Sequence, residues 1–300
     1  KSETISLAVM LEQPLVVCDI QRAGPSTGMP TKTEQADLSQ ALYGRHGEAP
    51  VPVLAAQSPA DCFATAVEAV RIALVYRTPV IVLSDSYLAN GAEPWLIPDL
   101  AAIEPIDPGF ATEPNGPDGS FLPYARDERL ARALALPGTP GLEHRIGGLE
   151  KADGSGEISY APDNHDLMVR LRQAKVDGIV ADVPDLVVDD PSGDAEVLVL
   201  GWGSSWGPIG AAARRVREAG RSVAVAHLRH LNPLPANTGD VLRAYRRVVV
   251  PEMNLGQLAA LLRAKYLVDV RSFARVRGLP ISAAELAAHL NDVIDRKDAQ

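Results

Sequence analysis

The chain has 300 residues, 46% of them hydrophobic and 22% charged, with a formal net charge of −9 at pH 7; these are ordinary values for a globular protein and exclude a disordered or fibrous one. At ~150 residues per domain the length suggests two domains, each able to bury a substantial core. An acidic balance with no basic stripe excludes the grip that a nucleic-acid phosphate backbone requires.

Taken in chain order, Lys1–Thr4 run straight into the apolar stretch Ile5–Leu11 with neither a methionine nor a leader, so the chain reads as cut from something longer. Pro14 to Ile20 and Pro79 to Leu83 have the composition of short buried strands, and helix-period sequence from about Ala60 to Tyr76 lies between them: the crossover unit of a parallel sheet. Cys18 and Cys62 each sit in an apolar or helical run, which predicts buried reduced thiols and a reducing cytoplasm. Two ligands so far apart hold neither zinc nor an iron-sulfur cluster, so this chain is expected to carry no metal. From Glu104 to Asn164 proline and glycine recur and periodicity fades, predicting a long irregular excursion of the kind that serves a site or an interface.

Helix period returns from Asp166 to Ala181, with Arg170, Arg172 and Lys175 on polar faces. Beyond the acidic stretch near 185–195 a second α/β segment begins: strands at Val197–Gly201, Ser222–His227, Arg247–Pro251 and Asp269–Phe273 alternate with helices at Gly210–Ala219, around Val241–Tyr245, and at Leu255–Tyr266. The fold class expected is therefore α/β, with two doubly wound, mostly parallel-sheet domains at 1–190 and 191–300. No apolar run reaches the ~20 residues of a transmembrane helix, so a soluble chain without membrane contact is expected.

The segment Gln21 to Leu38, QRAGPSTGMPTKTEQADL, directly follows the first strand. Gly24, Pro25, Gly28 and Pro30 forbid a helix and force a tight loop. Thr31 and Glu34 have capping-box spacing, predicting a helix from Lys32 to about Tyr43 closed by Gly44. The loop then lies at the carboxyl end of a parallel strand and at a helix N-terminus, where open sheets bind anions. The Arg22 guanidinium, the Ser26 and Thr27 hydroxyls and the backbone N–H groups are the donors that a carboxylate or phosphate requires.

Other candidates are weaker. GWGSSWG at Gly201–Gly207 has GxGxxxG spacing, and the next strand ends without an acid for a ribose, so a tight strand–helix corner is expected in place of a dinucleotide site. His227 and His230 lack a third metal ligand nearby. His144 and His165 are expected on loop surface, Asp85 as a cap, and Trp95, Trp202 and Trp206 in packing roles. No nucleophile elbow, Walker loop or Gly-Asp-Gly signature occurs.

From QRAGPSTGMPTKTEQADLSQALYGRHGEAP through RTPVIVLSDSYLANG, FLPYARD, ALPGTPGLEHRIGGLE, NHDLMVRLRQAKVDGI, VLVLGWGSSWG, HLRHLNPLP and VVVPEMNLGQLAALLR, the sequence resembles the α subunit of 2-oxoacid:ferredoxin oxidoreductases, especially the 2-oxoglutarate type. The resemblance covers most of the chain. It implies a thiamine-pyrimidine-binding-like first domain, a transketolase C-terminal-like second domain, and oxidative decarboxylation of a 2-oxoacid on thiamine diphosphate, with the acyl group passing to coenzyme A and electrons to ferredoxin. The family motif R-x-G-P-S-T falls on Arg22, Gly24, Pro25, Ser26 and Thr27, which implies that Arg22 and Thr27 contact the substrate carboxylate and keto group, with Gly28 in the supporting loop.

The resemblance also places diphosphate, Mg2+ and a [4Fe-4S] cluster on a β subunit, with ferredoxin as the electron-accepting partner, in an α2β2 assembly. The family's Tyr-Pro-Ile-Thr-Pro motif and its pyrimidine-binding glutamate have no match in residues 1–21, so an N-terminal portion of the same subunit is expected to supply them, and this chain alone is expected to be inactive. Two alternatives share the layout: a transketolase-like subunit of a lipoamide-linked 2-oxoacid dehydrogenase, and a non-catalytic scaffold subunit.

Overall fold

The computed structural model describes residues 1–296. Helix α1 (Ser2–Leu11) leads into β1 (Leu15–Gln21), followed by α2 (Leu38–Tyr43), β2 (Val53–Ala55), α3 (Asp61–Tyr76), β3 (Pro79–Asp85) and α4 (Ser86–Asn90). After a long irregular stretch that holds only the short β4 (Phe110–Ala111) and β5 (Leu134–Ala135) as strands come α5 (Pro162–Gly178) and β6 (Val188–Asp189). The remainder is β7 (Val197–Trp202), α6 (Trp206–Glu218), β8 (Ala224–Leu228), β9 (His230–Asn232), α7 (Thr238–Ala244), β10 (Arg247–Glu252), α8 (Gln257–Tyr266), β11 (Val270–Ala274) and α9 (Ala283–Asp295).

Two larger sheets result, one in the order β1-β3-β2-β9 and one in the order β11-β10-β7-β8-β6, and β4 and β5 pair parallel as a separate small one. The pairs β1–β3, β2–β3, β7–β8, β7–β10 and β10–β11 are all parallel. VLVLGW, an unbroken apolar run, and RVVVPE, apolar between its charged ends, are buried from end to end, the pattern of strands covered on both faces. Strand β9 belongs by sequence to the second half, yet it pairs antiparallel with β2 of the first sheet.

One apolar layer joins the two sheets: Leu38, Val53 and Leu83 pack in the same cluster as Leu198, Trp202, Leu228 and Leu258. On the far side of the second sheet, Ile209, Ala212 and Val216 of α6 meet Phe273 and Leu286, Leu290 and Val293 of α9. Each fully buried aliphatic side chain contributes roughly 1.5–3 kcal/mol.

Three local expectations are corrected. The capping box at Thr31 does not form: Thr31 has φ 64°, Glu34 accepts from the Gly24 N–H, and the helix waits until Leu38. Cys18 is exposed, because β1 has a paired neighbour on one side only and alternate side chains lie uncovered, and Cys62, in the first turn of α3, is half-buried. Arg172 and Lys175 are buried, whereas Arg170 is exposed and paired with Asp166.

Those buried cations hold the irregular excursion onto the end of α1. Glu12, which closes α1 with φ 50°, accepts from Lys175 Nζ at 2.5 Å and from both Arg126 Nη1 (2.7 Å) and Nη2. Arg132 Nε donates to the Leu11 carbonyl (3.0 Å) and Lys151 Nζ to the Met10 carbonyl (3.2 Å), so cations crowd the negative end of the helix dipole. Burial alone would raise the Glu12 carboxyl, but Lys175 and Arg126 outweigh it and hold it down to about 2.

Candidate active site

Strands β1 and β3 are in register with Gln21 opposite Asp85, so they end together. Gln21 fixes the exit: its Nε2 donates to the Ser84 carbonyl (3.1 Å), and its Oε1 accepts from the Asp37 N–H (3.0 Å). The Asp85 carboxylate accepts from the N–H groups of Tyr87 and Leu88 (2.8 and 3.2 Å), capping α4 as expected. The chain therefore leaves the sheet at Arg22 from a rigid platform.

The loop that follows is closed by Ala23 N–H to Lys32 O (2.9 Å) and Met29 N–H to Ala23 O (3.0 Å). Its Gly24–Pro25 peptide is cis, and Ser26, Gly28 and Thr31 all lie in the left-handed region, at φ 56°, 49° and 64°. Ser and Thr there cost on the order of 1 kcal/mol each, a strain that folds retain where geometry serves a site. Gly28 has no substitute, since a Cβ would lie 2.1 Å from the Ala23 carbonyl oxygen.

Arg22 and residues 24–32 are exposed. Arg22 Nη2 donates to the Ser26 carbonyl at 3.3 Å, which uses one of five guanidinium donors and holds the cation on the turn that carries Thr27. Arg22, Gly24, Pro25, Ser26, Thr27 and Gly28 are thus brought onto one turn. Residues 22–33 contain no carboxylate; the Glu34 carboxylate that follows them accepts from the Gly24 N–H. Because α2 starts only at Leu38, no helix N-terminus adds to the cradle: the cation, the hydroxyls and the loop amides make it. Nearby on β1, burial and the Asp37 carboxylate push the Asp19 carboxyl up to about 6.

A clamp behind the loop was not foreseen. Gln35, fully buried, donates from Nε2 to the Trp202 carbonyl (2.7 Å) and accepts at Oε1 from the Met253 N–H (3.1 Å). Asn254 Nδ2 donates to the Gln35 carbonyl (2.7 Å), and Gln257 Nε2 to that of Ala36 (2.7 Å). Glu252 accepts from the N–H groups of Leu258 and Ala259 and from Trp202 Nε1. The available signal was a run of polar residues, Thr33 to Gln35, too far from the loop glycines to be loop surface alone.

The remaining candidates stay apart from this turn. His227 Nε2 lies 3.0 Å from the Gly203 carbonyl, whereas His230 Nε2 is 3.8 Å from Glu68. Burial pushes these imidazoles down to about 3 and about 4. His144 packs edge-on against Phe121, and His165 meets Glu150 at 2.6 Å. Trp202 is buried, but Trp95 and Trp206 are exposed, the latter edge-on to His227. Among the described residues no group of three His, Cys, Asp or Glu side chains could hold a metal ion, and no helix is long and apolar enough to cross a membrane.

A family profile described as pyruvate flavodoxin/ferredoxin oxidoreductase, thiamine diphosphate-binding, matches residues 1–168. The chain belongs to that family. Within the pyruvate flavodoxin/ferredoxin oxidoreductase family, the 2-oxoglutarate oxidoreductase subunit KorA of Mycobacterium tuberculosis is 67% identical over 287 residues, covering 95% of this chain and 43% of the relative. The 2-oxoglutarate synthase subunit KorA of Methanocaldococcus jannaschii is 34% identical, covering 85% of this chain and 67% of the relative. The structure of the 2-oxoglutarate:ferredoxin oxidoreductase of Magnetococcus marinus, solved with 2-oxoglutarate, coenzyme A and succinyl-CoA bound, matches with a TM-score of 0.88 at 32% identity, over 98% of this chain and 51% of that one. The chain spans about half the length of the longer relatives it matches.

Proposed function

We propose that this chain is part of the α subunit of a thiamine diphosphate-dependent 2-oxoacid:ferredoxin oxidoreductase. The reaction is the oxidative decarboxylation of a 2-oxoacid, with 2-oxoglutarate the favoured one, by coenzyme A and two oxidised ferredoxins, giving acyl-CoA, CO2, a proton and two reduced ferredoxins. The observation that carries this reading is the exposed turn 22–28, which concentrates a guanidinium, hydroxyls and amide donors in a chain 67% identical to a 2-oxoglutarate oxidoreductase subunit.

The donor set fits the substrate. Arg22 offers paired N–H groups to the C1 carboxylate, and Thr27 a hydroxyl to the keto oxygen, which orients the keto carbon for attack. The same set does not fit a diphosphate with its Mg2+, which needs oxygen ligands around the metal. Diphosphate, Mg2+ and the [4Fe-4S] cluster are accordingly proposed for the β subunit, in an α2β2 assembly. Thiamine diphosphate, when bound, supplies the nucleophilic carbon and the electron sink. The solvent-facing loop suits a site completed by another chain. The division into 1–190 and 191–300 is proposed on sheet membership, with β6 and β9 the exceptions.

The test is steady-state kinetics of the full α chain with its β subunit and ferredoxin. Arg22→Ala should raise KM for the 2-oxoacid strongly or abolish turnover, and Arg22→Lys, which keeps the charge but loses the fork, should recover only part. Near-normal kinetics of Arg22→Ala would overturn the assignment, and a preference for pyruvate would reassign the substrate.

A further inference from the structure

The second sheet is doubly wound about β7. From β7 the chain passes through α6 to β8 on one side; later, through α7, it reaches β10 on the other. The carboxyl ends of β7 and β10 therefore flank the point where strand order reverses, which is where open sheets of this type hold their ligands. Here that crevice is filled by the chain itself. The Gln35 carboxamide spans it, donating to Trp202 O at the end of β7 and accepting from Met253 N just past β10. The Gln35 main chain adds a donor to the Met253 carbonyl (3.1 Å).

Gly203 makes the fit possible. It has φ 57°, and a Cβ there would lie 2.8 Å from Gln35 Nε2. The glycine pattern that resembles a dinucleotide fingerprint thus serves to admit a glutamine. A carboxamide serves both partners at once: Nε2 donates to the Trp202 carbonyl, which also accepts from Ser205 Oγ (2.7 Å), and Oε1 accepts from the Met253 N–H. From Gln35 the connection to the candidate active site is short: Glu34 accepts from the Gly24 N–H at 3.3 Å, and Gly24 follows Arg22 by two residues.

We infer that Gln35 is a positioning residue for the substrate turn: by occupying the switch-point crevice of the second sheet it fixes where Arg22 and Thr27 stand. This rests on the proposed reading of that turn. It also makes the two sheets unequal, one presenting the turn and the other anchoring it.

The test uses the full α chain with its β subunit, in Gln35→Ala, Gly203→Ala and the double variant. Two readouts are taken: KM for 2-oxoglutarate against KM for coenzyme A, and hydrogen–deuterium exchange of residues 23–32. Displacement of a positioned group by ~1 Å can cost on the order of a hundredfold. The expected result is a rise of KM for 2-oxoglutarate of about tenfold or more in each single variant, unchanged KM for coenzyme A, and faster exchange in the loop. Gly203→Ala should add little to KM or loop exchange once Gln35 is alanine, since the clash is gone and the left-handed strain that remains at residue 203 does not reach the loop through Gln35.

Unchanged exchange and KM, or a fall in kcat alone with both unchanged, would overturn the inference, as would additive effects of the two substitutions. If Gln35→Ala does not fold, Gly203→Ala decides by the same readouts. The exchange readout does not depend on turnover, so it separates this inference from the functional reading. A mobile loop in an α chain whose Arg22→Ala variant keeps normal kinetics would sink only the assignment of the substrate, while a rigid loop would sink the positioning role.

Discussion

Replacing Glu12 by glutamine tests the tie that holds the excursion, α1 and α5 together. Its carboxyl stands at about 2, against an ordinary 4.5, which corresponds to about 3 kcal/mol of preference for the ionised form. Breaking a buried pair from one side costs roughly 3–5 kcal/mol, in agreement, because Lys175 and Arg126 would each remain buried beside a neutral group. A lowered carboxyl lends stability that is complete above the unfolded value and is lost as pH falls towards the folded one. At pH 4 roughly 1 kcal/mol of it has already gone. In urea unfolding of the full-length chain, Glu12→Gln should therefore lie about 3 kcal/mol below wild type at pH 7, with the gap narrowed by roughly 1 kcal/mol at pH 4. Lys175→Met should cost a similar amount alone and much less on top of Glu12→Gln. A variant within 1 kcal/mol of wild type, or a gap that does not move with pH, would refute the account.

Further expectations concern the turn. Gly28→Ala, whose Cβ would collide with the Ala23 carbonyl, should cut kcat/KM for the 2-oxoacid by on the order of a hundredfold with no comparable loss of melting temperature; retained activity would show that the loop geometry is not needed. Thr27→Val, equal in volume, should lower kcat/KM by roughly five- to twentyfold through one lost hydrogen bond, measured beside Thr27→Ser, which should recover most of it. The Asp19 carboxyl stands at about 6, so the folded chain binds that proton more tightly than the unfolded one, and stability falls as pH rises from about 4 to about 6. Asp19→Asn should flatten this part of the melting profile, and an unchanged slope would count against burial as the cause.

Strands were legible wherever both faces are covered, because PVIVL, VLVLG and RVVVP are apolar without alternation and leave no other reading. The same logic could not reveal β2 or β9: three residues each, they are defined by pairing with other segments, β2 with β3 and β9 with β2, which no local pattern encodes. The turn from Arg22 to Gly28 was visible because Gly and Pro dictate backbone geometry locally. Thr31 misled because its capping-box spacing with Glu34 is a local rule, and the long-range demand of Gln35 for Trp202 and Met253 prevailed over it. Arg172 and Lys175 looked available from α5 alone, since the carboxylates that bury them, Glu150 and Glu12, come from distant segments. Cys18 looked interior because a strand sequence does not say whether it lies at a sheet edge.

The pairing of β9 with β2 determines how the molecule can be divided. A protein cut near residue 190 would leave β2 with a naked edge and β9 with unpaired backbone groups, each a template for joining another molecule. Produced separately, the halves should aggregate; mixed during refolding, they should complement each other, reassembling through the short antiparallel pairing of β2 with β9 and the apolar layer behind it. A crossover of this kind makes the chain inseparable in practice even where its sequence suggests two independent parts.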